Sequence, residues 1–218
     1  MPRFGFSLFR LTQVVLAATV VALAAGCSNT PHEEDPQDYV RKLTAGRAAK
    51  DADFLASNDV VPKDKKAQLL PLAYFPVDPN YKVLAGLKPA TENIVVDMPT
   101  STGVRRQMRQ VGSMEFTLKG EQMSLLAFNE AGAADNNHVT LMFSDMTSGT
   151  ETYAAGRYID LEMTASGIYS LDFNLAYHPY CYYNPTYECP YPPAENRLKV
   201  PIHAGERMKK DASEAPVR

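Results

Sequence analysis

The sequence predicts a mainly β protein, an antiparallel β-sandwich or barrel of about nine strands preceded by an N-terminal amphipathic helix. Three observations carry that expectation. From Tyr81 onward apolar residues recur with a period of two, as strands with one buried face require. These runs are short and are separated by turn residues such as Gly120-Glu121 and Thr164-Ala165-Ser166-Gly167. No helical period interrupts them, so the crossover helices of a parallel sheet are missing from the pattern.

The chain begins with a targeting segment rather than with the fold. Arg3 and Arg10 precede an uncharged apolar run from Leu11 to Ala25. At about 15 residues the run falls short of the roughly 20 that span a bilayer core. Residues 1–26 therefore read as a cleaved signal peptide. Its end, Leu23-Ala24-Ala25-Gly26-Cys27, resembles the bacterial lipobox, with Ala24 standing where Leu is usual. The resemblance implies a diacylglycerol on the Cys27 thiol and a membrane anchor for the mature chain. Ser28, in a place where Asp would retain the protein in the inner membrane, favours the outer one. The expected location is the cell envelope, lipid-anchored at the outer membrane and facing the periplasm. Residues 27–37 then form the lipidated Cys and a flexible tether. Its SNTPHEEDPQ run (residues 28–37) is too polar and Pro-rich to fold, and His32 with its acidic neighbours reads as a solvated charge run.

Residues 38–209 are expected to form a single β-rich domain. Tyr39, Val40, Leu43, Phe54 and Leu55 lie near helical spacing, with Asp38 as a cap and an end near Ser57-Asn58, before Pro62. A shorter helical piece is expected over Lys63–Leu70. The strand candidates are Tyr81–Leu87, Asn93–Met98, Val104–Val111, Met114–Leu118, Gln122–Asn129, His138–Phe143, Arg157–Met163, Ile168–Phe173 and Leu198–His203. Thr164 to Gly167 supplies a hairpin turn between two of them. Residues 210–218 lose apolar content and read as a disordered tail. Without its signal the chain carries 20 Lys+Arg against 25 Asp+Glu, a net charge of −5 with no basic run. That balance argues against nucleic acid as a partner, because phosphate neutralisation supplies most of such affinity.

One segment stands apart. Half of the twelve tyrosines fall between Tyr177 and Tyr191, among them Tyr177, Tyr180, Tyr182, Tyr183 and Tyr187. Prolines at 179, 185, 190, 192 and 193 argue against a helix or central strand, leaving a long irregular loop. Cys181 and Cys189 are the thiols left once Cys27 is acylated, and an oxidising compartment makes them a disulfide candidate. Free buried thiols and metal ligation are the alternatives. Tyrosines on a fixed loop offer apolar faces and hydroxyls suited to a glycan, a peptide or a small organic ligand. The competing reading is that they cover one end of the barrel as an outer core layer.

Polar residues crowd the flanks of this loop. The stretches FSDMTSGTETYAAGRYIDL, LDFNLAYHPYCYY, CPYPPAENRL and IHAGE, with YFPVDPNY upstream, resemble the bacterial and archaeal family known as domain of unknown function 1684. The resemblance spans roughly Asp38 to Lys209 and implies no established activity. The family more often has Asn-Pro-Pro-Cys where this chain reads His178-Pro179-Tyr180-Cys181, which weakens a shared catalytic role for His178. Read from the residues alone, Asp172, Glu195 and Glu206 could supply an acid/base pair, and Arg157 could clamp a carboxylate. With Asn174 and Asn196 the same set could hold a hard divalent cation such as Ca²⁺. The competing reading is a buried network in which these groups satisfy one another. No nucleophile elbow, metalloprotease, phosphate-loop or dinucleotide motif is present, so no cofactor is implied. The leading expectation is a binding module for a polar envelope ligand. A carboxylate hydrolase of envelope material and a purely structural or protein-interaction role are the alternatives.

Overall fold

The structure, a computed structural model, describes residues 35–133 and 137–209, together with Met1. The signal peptide, Cys27 and the tether up to residue 34 lie outside the described residues, as does the tail 210–218.

Pro36 opens helix α1 (Pro36–Ala56), at a position where its missing N–H costs nothing. Asp38 therefore sits inside the first turn rather than at the cap. Tyr39, Leu43 and Phe54 are buried, whereas Val40 and Leu55 are 39 % and 63 % exposed. Adjacent helical positions differ by about 100°, so neither can share the stripe of its buried neighbour. The stripe that faces the domain passes through Arg47 and Lys50 instead. It is apolar at both ends and cationic in the middle. A 3₁₀ turn at Lys63–Lys65 and α2 (Lys66–Leu69) form the short helical piece expected there.

Among the described residues nine strands follow: β1 (Ala73–Tyr74), β2 (Lys82–Pro89), β3 (Val95–Pro99), β4 (Arg105–Leu118), β5 (Glu121–Glu130), β6 (His138–Phe143), β7 (Arg157–Glu162), β8 (Ile168–Asp172) and β9 (Glu206–Arg207). Every pairing is antiparallel. β1 and β9 form a separate ribbon, and the rest make one sheet ordered β7-β6-β5-β4-β2-β8, with β3 also on β4. β4 alternates buried Met114, Phe116 and Leu118 with exposed Glu115 and Thr117. The two strands expected over residues 104–118 are this single strand, bent where the register shifts between Gln110 and Gly112. A Cβ at Gly112 would lie 2.3 Å from the Lys88 carbonyl oxygen, so only glycine admits β2 at the bend. The turn at residues 164–167 forms, but β7 pairs with β6 and β8 with β2 rather than with each other. The sheet curls until its two ends meet at that turn, close to a barrel.

Leu198–His203, expected as a strand, is irregular. Its Leu198 N–H reaches the Ser144 carbonyl at 2.8 Å and its Val200 carbonyl accepts from the Met146 N–H at 3.3 Å. At Ile202 side chains take over: Asp145 accepts from the Ile202 N–H at 3.2 Å, and Arg157 donates to the Ile202 carbonyl at 2.8 Å. Inside the barrel lie Leu125, Val139, Leu141, Phe143, Ile159, Leu171 and Phe173. A second cluster, Met98, Met108, Phe128, Met142 and Tyr158, packs with Cys181 and Cys189 of the tyrosine-rich segment. Met142 points opposite to Leu141 and Phe143. The segment thus covers the outer face of β6, which is buried on both sides.

Candidate functional site

Glu206 is the point at which distant parts of the chain converge. Its backbone enters through Gly205, whose φ of +78° and whose hypothetical Cβ, 2.4 Å from the Ala176 carbonyl oxygen, leave room for no side chain. The β1–β9 register sets Tyr74 opposite Glu206. One carboxylate oxygen, Oε1, accepts from Lys50 Nζ of α1 at 2.6 Å. Oε2 accepts from the Tyr183 hydroxyl and from the His178 N–H, the latter at 2.8 Å. Glu206 itself is 2 % exposed, so this ion pair is desolvated on the carboxylate side.

Between α1 and the barrel lies a cavity of about 260 Å³, bounded by Arg47, Lys50, Tyr74, Asn174, Tyr177 and Glu206 among others. Arg47 stacks over the Tyr74 ring at 4.3 Å and donates to the carbonyls of Phe75 and Asn174 at 3.1 and 3.4 Å. A second, open cleft of about 320 Å³ is lined by Tyr158, Tyr177, Tyr180, Tyr187, Arg106 and Glu188. Arg106 and Glu188 form an ion pair at 3.2 Å there.

Of the acids singled out in the sequence, Glu206 alone lines either cavity. Asp172 caps the 3₁₀ turn Phe173–Leu175, accepting from the Asn174 N–H at 2.9 Å and from the Tyr39 hydroxyl at 2.8 Å. Burial first, and that carboxylate second, hold Tyr39 protonated above the usual phenol range. Asn174 continues the seam, its Oδ1 accepting from the Asp78 N–H at 3.0 Å. Glu195 is exposed on the 3₁₀ turn Ala194–Asn196 and borders neither cavity. Asn196 is fully buried and staples β5 to β6, bonding the Leu126 N–H and the carbonyls of Leu126 and Met142. Arg157 is also fully buried and has no access to an exogenous carboxylate. Its guanidinium joins Asp145 at 2.9 Å and the carbonyls of Ile202, Ala204 and Glu206, fixing the segment that presents Glu206.

His178 is no general base in this arrangement. Its Nε2 accepts from the Tyr153 N–H at 3.3 Å, and its Nδ1 stands 3.8 Å from Glu206 Oε2. Burial, with Arg157 and Lys50 nearby, pushes its pKa down to about 3, so the ring is neutral. Among the described residues no group of three His, Cys, Asp or Glu is placed to hold a metal ion. The oxygens of the cation set proposed from the sequence are occupied by protein donors at Asp172, Asn174, Asn196 and Glu206.

The tyrosine-rich segment is less irregular than its prolines suggested. Residues Tyr180–Tyr183 form one helical turn, α3, directly after Pro179, which occupies the cap, where no N–H is needed. Its tyrosines divide in two. Tyr183 is fully buried against Phe54, ring centroids 5.4 Å apart, and Tyr182 packs on His178 at 4.4 Å. Tyr180 and Tyr187 meet edge to face at 5.2 Å and, with Tyr177, line the open cleft. The expected disulfide is absent: Cys181 and Cys189 are free thiols. They are held by hydrogen bonds instead, the Cys181 N–H meeting Cys189 Sγ at 3.3 Å and the Cys189 N–H meeting Ser101 Oγ at 3.1 Å. A hydrogen bond from the Cys189 thiol lowers the Cys181 pKa to about 6 and raises that of Cys189.

Sequence reasoning missed Arg47, Lys50 and Tyr74, and Arg106 and Glu188 of the open cleft. For the first two a signal existed: Tyr39, Leu43, Arg47, Lys50 and Phe54 follow one another at helical spacing, so charge placed between buried aromatics marks a polar seam.

The chain belongs to the family described as protein of unknown function (DUF1684), which it matches over residues 68–207. It is similar to the solution NMR structure of an uncharacterized protein of Haloarcula marismortui, with 35 % identity and a TM-score of 0.63. That likeness covers 80 % of this chain and 96 % of the other. No curated protein matches the sequence.

Proposed function

We propose that the protein is a lipid-anchored binding module of the cell envelope, held at the outer membrane through Cys27, that takes a polar ligand in the tyrosine-lined cleft. The observation that supports this reading is the cleft itself, about 320 Å³, within the roughly 300–1,000 Å³ typical of small-molecule sites. Tyr177, Tyr180 and Tyr187 bring apolar ring surface, and the Arg106–Glu188 pair adds a donor and an acceptor. A sugar ring or a peptide stem has matching chemistry, an apolar face edged by polar groups. A carboxylate hydrolase has less support, since Asp172 and Glu206 already accept from protein donors and Glu195 stands apart.

A thermal-shift screen of the purified protein against sugars and muropeptides tests the binding reading. A ligand near 100 times its dissociation constant should raise the melting temperature by several degrees, about 2.7 kcal/mol of stabilisation. Tyr187→Ala should remove that response. A flat screen across both ligand classes sinks the cleft as a glycan or peptide site. For the anchor, Cys27→Ala should move the protein from the membrane fraction to the soluble one, and continued membrane retention would refute lipidation there.

A further inference from the structure

We propose that the cavity beneath α1 is a second binding site, one for a small carboxylate or other oxyanion held by Arg47 and Tyr74. The two cavities share Tyr177 as a wall and nothing else, so the proposal stands apart from the tyrosine cleft.

The charge lining the cavity is the first argument. Arg47 and Lys50 stand against one acid, Glu206, in a chain whose net charge is −3. Lys50 and Glu206 cancel each other at 2.6 Å. Arg47 spends two of its donors on the backbone carbonyls of Phe75 and Asn174, which carry no charge to offset its own. The second argument is hydrogen bonding. Arg47 Nε is buried with no acceptor. The Tyr74 hydroxyl is likewise buried and, although close to Glu206, makes no hydrogen bond of acceptable geometry with it. Both residues line the same cavity. Buried donors left unmet are costly and uncommon, and both gain a partner when their side chains turn toward an oxygen ligand in the cavity. The third argument is preorganisation. The Arg47 guanidinium lies over the Tyr74 ring at 4.3 Å, so the two donors are held beside one another before any ligand arrives. At about 260 Å³ the space suits a compact acid rather than a nucleotide or an oligosaccharide.

Titration of the purified protein with succinate, inorganic phosphate and neutral succinamide tests the site, with melting temperature and calorimetry as readouts. Succinate or phosphate should give a saturable rise of several degrees, and succinamide none; whichever anion binds more tightly assigns the ligand class. Arg47→Met should weaken that binding about tenfold or more. Tyr74→Phe should leave the free protein at least as stable, because it deletes an unpaired hydroxyl, yet weaken the anion by a few-fold. Tyr187→Ala, confined to the other cleft, should leave the anion response intact, which separates this proposal from that one. No response to either anion overturns the proposal, as does an Arg47→Met protein that binds like the parent. Should Arg47→Met fail to fold, Tyr74→Phe is held to the same criterion.

Discussion

Inside the barrel Leu125, Leu141 and Phe143 are completely buried among apolar neighbours; beneath α1 and β1, Glu206, Asp145 and Arg157 are almost as deeply buried and stand in ion pairs. The interior is held by a force that is non-directional and scales with area. The seam is held by bonds whose donors and acceptors must all be in place at once, because a buried ion that loses its partner keeps its desolvation penalty. The barrel can therefore absorb small changes of shape, whereas the seam works as a unit. A cluster of this kind fixes where α1 lies and so shapes the cavity beneath it.

The sharpest way to break this comparison is Arg157→Leu. It keeps an apolar side chain in place but removes the guanidinium, strands Asp145 and frees three carbonyls, and a loss of about 3–5 kcal/mol is expected in denaturant titration. A cost below about 1 kcal/mol would mean that the buried charges contribute no more than packing does. Glu206→Gln comes next, at about 2 kcal/mol, since Lys50 is partly exposed and can reach water when its partner is neutral. A double-mutant cycle with Lys50→Met should show coupling of about 1 kcal/mol or more; strict additivity would detach α1 from Glu206.

A third test uses pH. With its folded pKa near 3 against about 6.5 when unfolded, His178 takes up a proton in the unfolded state first. Its contribution is complete above about pH 6.5 and is lost as pH falls toward about 3, by roughly 1.4 kcal/mol per unit. His178→Gln should flatten the acid limb of the stability profile by that slope. An unchanged profile would show that the ring is hydrated and titrates normally.

The strands were legible because alternation needs only neighbours: Met114, Phe116 and Leu118 declare the inner face of β4 without reference to the rest of the chain. Even there the pattern failed where a second layer intervened. Leu141, Met142 and Phe143 are all buried because the tyrosine-rich segment covers the outer face of β6, and a run buried on both sides has no alternation to read. Leu198–His203 failed for a related reason. Its apolar residues are buried as expected of a strand, but at Ile202 the backbone is met by the Asp145 and Arg157 side chains, and no periodicity encodes that.

By itself the sequence determined the β-rich class, the leading helix, the turn at residues 164–167, the tyrosine-rich segment and the residue types dense enough for a site. Only the tertiary structure decided which of them meet. Lys50 and Glu206 stand 156 positions apart, Tyr39 and Asp172 133 apart, and Asp172, Glu195 and Glu206, alike in sequence, became a turn cap, a solvated surface group and the centre of a buried cluster. Local order follows from the geometry of a few consecutive residues, whereas a polar cluster depends on chain segments brought together by apolar burial elsewhere, and its composition is settled only when the sheet has curled around its core.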